Sequence, residues 1–115
     1  MTHDEFTRIF QYAVAQMGSV LLAKNKEYAR DQDKLHNFHR AAAYMGCSPE
    51  KAAHVFQAKH VVSLADMVDD LERGTDHPME VWLEKTVDGI NYSILLFALL
   101  AERYGWEIPP CPSNP

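Results

Sequence analysis

The chain has 115 residues, of which 47% are hydrophobic and 23% charged, with a formal net charge of −5. That length supports one domain with a modest core, and the balance excludes both a disordered polyelectrolyte and a membrane-embedded chain. A net acidic chain also argues against duplex nucleic acid as a ligand, because phosphate contacts need concentrated basic charge.

Thr2 and Glu5 stand at capping-box spacing. Behind them Phe6, Ile9, Phe10, Ala13, Val14, Met17 and Leu21 recur at three and four residues, which predicts a first helix from about Asp4 to Ala29. Its inward stripe, Phe10, Ala13, Met17 and Val20, runs on into Lys24 and Glu27, so the helix turns polar on its apolar side. A charged link from Arg30 to Lys34 follows. Lys24, Lys26, Arg30 and Lys34 make a local basic patch, which reads either as a solvated helix end or as a cradle for the phosphates of a small nucleotide. A short second helix turns Leu35, Phe38, Ala42 and Met45 inward, and Gly46 stops it.

Ser48-Pro49-Glu50 is a strong helix start: a capping hydroxyl, a proline at the first helical position and an acid at the positive end of the dipole. The third helix is expected from Pro49 to about Glu72, with Ala53, Phe56, His60, Leu64, Met67 and Leu71 as its core stripe. The neighbouring stripe, Lys59, Ser63, Asp66 and Asp70, is polar. Gly74 ends this helix, Asp76 or His77 before Pro78 starts the fourth, and Gly105 closes that one after Tyr104. Residues 1–108 thus read as a single all-α domain, and the Pro-rich 109–115 as an extended tail. There is no strand pattern, internal repeat or Gly-rich phosphate loop. The longest apolar run, Ile94 to Ala101, is too short to cross a bilayer, and a cytoplasmic protein without a membrane partner is expected. Cys47 and Cys111 form neither a disulfide framework nor a zinc pattern.

The fourth helix carries two stripes of interest. Leu83, Val87, Ile90, Ile94, Phe97, Ala101 and Tyr104 are apolar throughout and are expected as its main buried face. Glu84, Asp88 and Asn91 fall on a second stripe that continues into Leu95 and Ala98, so these polar groups are expected to point inward too. Buried unpaired carboxylates are costly, hence Glu84 and Asp88 need a metal, a cation or hydrogen-bond donors. At i and i+4 they can place several oxygens around a magnesium ion.

Other residues offer matching chemistry, each with a plainer alternative. Lys24-Asn25-Lys26-Glu27-Tyr28 combines cations, a carboxylate and a ring, the types a nucleotide site wants, or is simply a charged helix end. Asn37 can read a base edge or cap its own helix. His36 and His39 are three apart but lack a third ligand at zinc spacing. Lys59 is suited to a phosphate or to an interior ion pair with Glu84 or Asp88. His60 reads as a satisfied core histidine rather than a general base, and Asp66, Asp69 and Asp70 as a solvated acidic face or, for two of them, as ligands that complete a metal site.

The order Lys24-Asn25-Lys26-Glu27-Tyr28, then Asn37-Phe38, then Lys59, then Glu84-x-x-x-Asp88-x-x-Asn91-Tyr92 resembles the phage and prophage proteins grouped as nucleotide-modification-associated domains. These in turn look like distant relatives of the MazG-like all-α nucleotide pyrophosphohydrolases. The likeness spans about Leu22 to Glu102. Ala29 stands where such proteins usually have glycine and His36 where they have an acid, and the Glu-x-x-Glu pair of the established enzymes has no clean copy. The resemblance implies an antiparallel bundle of about four helices, a nucleoside phosphate ligand and magnesium, in a bacterial host cytoplasm. It further implies Glu27, Glu84 and Asp88 as metal ligands, Glu84, Asp88 and Lys59 as catalytic residues, and Lys24, Tyr28, Asn37, Asn91 and Tyr92 on the nucleotide. A non-catalytic module that captures a nucleotide signal or a host protein, and a purely structural oligomer, remain open beside hydrolysis. Apolar leftovers such as Val61, Val62, Val81, Trp82, Leu96 and Leu99 point to a homodimer or homotetramer through helices three and four.

Overall fold

The computed structural model describes residues 1–28 and 33–111, and the side chains of all of these but 23–28. They form α1 (His3–Tyr28), α2 (His36–Met45), α3 (Pro49–Glu72) and α4 (Met79–Tyr104), with no strand among the described residues. The molecule is an all-α helical bundle, and each helix begins and ends close to where the sequence places it.

The termini are fixed by local chemistry. Thr2 N–H donates to Glu5 Oε2 (2.6 Å) and Glu5 N–H to Thr2 Oγ1 (3.1 Å), the reciprocal pair of a capping box. Lys51 N–H donates to Ser48 Oγ (3.1 Å), with Pro49 opening α3. Gly46 and Gly105 stop α2 and α4 at φ of 66° and 65°, a left-handed backbone that side chains rarely adopt.

α3 and α4 are antiparallel neighbours, as the cross-contacts show: partner numbers on α4 fall as those on α3 rise. Glu50 meets Arg103, Gln57 Nε2 donates to the Gly89 carbonyl (3.1 Å) and to Ser93 Oγ (2.6 Å), and Asp70 meets His77 (2.9 Å) in the connecting turn. α2 packs across this hairpin, and α1 lies against α4 on the other side. Leu35, Phe38, Ala53 and Leu99 form the core, with Phe56, Tyr92, Leu95 and Ala98 against it. The rings of Phe38, Phe56 and Tyr92 meet at centroid distances of 6.1–6.5 Å.

Three expectations need correction. The buried arc of α4 runs through Val87, Asn91, Leu95 and Leu99, the stripe that holds the polar residues. The all-apolar stripe is covered only at its start, and Ile90, Ile94, Phe97 and Tyr104 are exposed. The reason is tertiary: α1 flanks α4 on one side and α2 with α3 on the other, so the covered arc is centred between them. Leu99, expected among the outer leftovers, is the largest fully buried side chain among the described residues, at 1% exposure. Phe10, expected in the inward stripe of α1, is 59% exposed, because the first turns of α1, exposed throughout from His3 to Gln11, precede the part that packs on α4. Of the other proposed leftovers, Val61 and Val62 are exposed, while Val81, Trp82 and Leu96 are half-buried.

The open end of the hairpin is clamped by a two-pronged ion pair in which Arg103 Nη2 donates to Glu50 Oε2 (2.8 Å) and Arg103 Nε to the other oxygen. That guanidinium holds the Glu50 carboxyl down to about 2 from an ordinary 4.5. A carboxyl lowered on folding stabilises the fold above its unfolded value and ceases to do so as pH falls through its folded value. Arg103→Met is therefore expected to lower the urea midpoint at pH 6, and the difference from wild type should shrink between pH 4.5 and about 2. A difference that is constant across that window would assign the loss to packing of the arginine stem.

Candidate functional site

Three polar residues sit where the bundle is otherwise apolar. Asn91 is 4% exposed, and neither its Oδ1 nor its Nδ2 has a hydrogen-bond partner. His60 of α3 faces α4, with its Nδ1 buried and unpartnered at 3.9 Å from Asp88 Oδ2, too far for a hydrogen bond. Asp88 is half-buried beside it. The His60 ring stacks on Tyr92 at a centroid distance of 5.1 Å and an interplanar angle of 28°. Burial, with Asp88 adding to it, pushes the Tyr92 hydroxyl above its ordinary range.

Sequence order explains the gathering. Residues 84, 88 and 91 share one face of α4, and the antiparallel register sets His60 opposite Asp88. Asp88 also opens onto a groove of about 380 Å³ between α1 and α4, walled by Tyr12, Gln16 and Val20 on one side and by Leu83, Glu84 and Val87 on the other. Glu80 lines the same groove, so carboxylates stand at three successive turns of α4. Asn91 lies one turn beyond Val87 and Asp88, in the direction that leads away from the groove.

The structure brings together part of the predicted set. Asp88, Asn91 and Tyr92 are neighbours, and Glu84 shares the groove with Asp88 but is exposed. Lys59 is exposed on α3 and makes no ion pair with Glu84 or Asp88; its neighbour in sequence, His60, occupies that place. Asn37 is exposed on the first turn of α2. Tyr92 is packed against Phe38, Phe56 and His60, which occupies much of its ring. The side chains of Lys24, Glu27 and Tyr28 lie outside the described residues, as does Arg30 of the basic patch. Lys34, its other end, donates to the Leu21 carbonyl (3.1 Å), and burial lowers its pKa. His39 pairs with Glu102 at 2.6 Å, away from His36.

Among the described residues no three His, Cys, Asp or Glu side chains converge as a metal site. The oxygen donors Glu84 and Asp88 nevertheless suit magnesium chemically, since that ion takes one or two carboxylates and completes its shell with water and phosphate. Sequence reasoning missed Gln57, whose amide ties Gly89 and Ser93, and the groove residues Tyr12 and Gln16. It also took His60 for a satisfied core histidine. Only the pairing of α3 with α4 reveals otherwise. Comparison with known protein families, with characterised proteins and with solved structures gives no match.

Proposed function

We propose that the chain is a phage-derived protein that binds a nucleoside phosphate along the polar face of α4, working as a homodimer or homotetramer in the bacterial cytoplasm. The observation that carries this reading is Asn91: an amide with both polar atoms buried and unpaired costs stability, and a ligand that supplies an acceptor and a donor repays it. The phosphates would extend from Asn91 toward Asp88 and Glu84, and Lys24 and Lys59 would supply cationic charge. Asn37, Tyr28 and Tyr92 are the proposed contacts for the base and sugar.

In the hydrolytic form of this reading Glu27, Glu84 and Asp88 would hold magnesium, which would supply neutralisation of phosphate charge and Lewis acidity. One carboxylate orients water for attack on phosphorus and accepts its proton. The new bond joins the water oxygen to the α-phosphorus, the bond to the bridging oxygen breaks, and pyrophosphate leaves with a nucleoside monophosphate. A binding-only protein is the second reading. It is favoured by the exposure of Glu84 and by the position of His60, rather than Lys59, beside Asp88.

A pyrophosphate-release assay across the common triphosphates, with magnesium or manganese, separates the two. Hydrolysis predicts metal-dependent release by the wild type and a fall of about 100-fold or more in Asp88→Asn, which keeps the size and removes the charge. Binding alone predicts no release from any triphosphate by folded wild type, with Asp88→Asn changing only the calorimetric affinity.

A further inference from the structure

The apolar stripes of α1 and α4 that this chain leaves uncovered point to a specific seat for a second copy. Phe6, Ile9, Phe10 and Val14 line the projecting half of α1, and Ile90, Ile94 and Phe97 line the outer face of α4. All seven are between 40% and 59% exposed. Among the described residues no helix covers either stripe, the ring of Trp106 meeting only Phe97 at its end (centroids 6.0 Å), and each repeats at helical spacing, as an interface stripe does.

Area decides what covers them. A compact monomer of 13.1 kDa should expose about 6,400 Å², whereas this chain exposes 8792 Å². Its radius of gyration is 16.6 Å, against about 13 Å for a compact fold of this length. The surplus of about 2,400 Å² belongs in part to the exposed tail after Tyr104, yet it is about three times the roughly 800 Å² per partner of an ordinary interface. A small ligand or short peptide cannot cover that much.

We propose that a second copy of this chain lays the first half of its α1 on the Ile90–Phe97 stripe of α4, and receives the first chain's α1 on its own α4 in return. A two-fold axis makes the exchange reciprocal, so both stripes are buried twice over. Tyr12, which walls the groove beside Asp88, follows Ile9 and Phe10 by less than one turn. The second copy then also closes the open side of that groove. This deepens the homo-oligomeric part of the functional reading and is independent of which ligand, if any, Asn91 meets.

The test is light scattering on the full chain at about 100 µM, with far-UV circular dichroism on every variant. The wild type should show at least twice the single-chain mass. Phe10→Lys and Phe97→Glu should each fall to the single-chain mass while staying helical, since both positions are already exposed within one chain. Mixing the two variants should restore the dimer, because one of the two exchanged contacts becomes Lys against Glu and the other is wild type. If either variant loses helix, Ile9→Lys and Ile94→Glu replace the pair. A wild type at single-chain mass overturns the proposal and leaves the stripes to another kind of partner. Single variants that stay oligomeric, or monomeric variants that do not recombine on mixing, overturn the α1-on-α4 seat. None of these outcomes alters Asn91 or Asp88, so failure here is distinct from failure of the nucleotide reading.

Discussion

Asn91→Leu is expected to stabilise the ligand-free protein and to abolish nucleotide binding. Leucine branches at the same atom as asparagine but carries no polar group, and the native amide is buried with both ends unpaired. Removing such a group relieves a penalty of about 1–3 kcal/mol, which at this size corresponds to a rise in Tm of roughly 4–8 °C per kcal/mol. Chain concentration has to be held fixed, because the midpoint of an oligomer depends on it. Titration calorimetry with nucleoside phosphates should then show heat for the wild type and none for the variant. A protein has little reason to keep a residue that weakens its fold unless something else uses it. A lower Tm for Asn91→Leu would instead assign the amide a structural role and remove the main support for a ligand at that point.

The second large effect concerns the core. Among the described residues Leu99 is the only large side chain that is fully buried, and it packs with Leu35, Phe38 and Ala53 where α2, α3 and α4 meet. Leu99→Ala deletes that contact and leaves a cavity, at a cost of about 2–5 kcal/mol. With so few fully buried residues the remaining core has little to spare. The expected result is a steep drop in the urea midpoint, large enough to unfold part of the population at 37 °C. Phe97→Ala, on the outer face of the same helix, should leave the stability of a single chain nearly unchanged, and that contrast checks the assignment of faces.

That assignment was the part of the fold hardest to read from the sequence. Helix ends were legible because their signals are local: Ser48 followed by Pro49, Gly46 after Met45, Gly105 after Tyr104, Thr2 with Glu5. The inward face of α4 was not, since stripes through Ile90 and through Asn91 both carry enough apolar residues to be buried. Which one is buried depends on the angle at which α1 and α3 approach, and helical periodicity contains no such information. For the same reason Phe10 looked like core in the sequence of α1 and lies in the open. The site shows a similar division. Asp88 and Asn91 were found because they interrupt an apolar helix on one stripe, and the cost of burying them is the same in any fold. His60 was misjudged because its neighbour Asp88 is 28 residues away in sequence, and Lys59, one position earlier, has the more suggestive chemistry and faces out.

The placement of α1 against α4 also has a consequence for synthesis. α1 is made before α4, to which the residues that wall it on the groove side, Leu83 and Val87, belong. At ribosomal speeds of about 5–20 residues per second, roughly 60 residues of delay leave the nascent helix without its cover for several seconds. During that time Tyr12, Gln16 and Val20 lack the partners they face across the groove, and the phenylalanines and isoleucine near the start of the helix, which the finished fold leaves exposed as well, stand beside them uncovered. A neighbouring nascent chain on the same message presents the same helix in the same state. The yield of folded protein should thus depend on the spacing of ribosomes and on the supply of holdase chaperones more than on the intrinsic speed of helix formation.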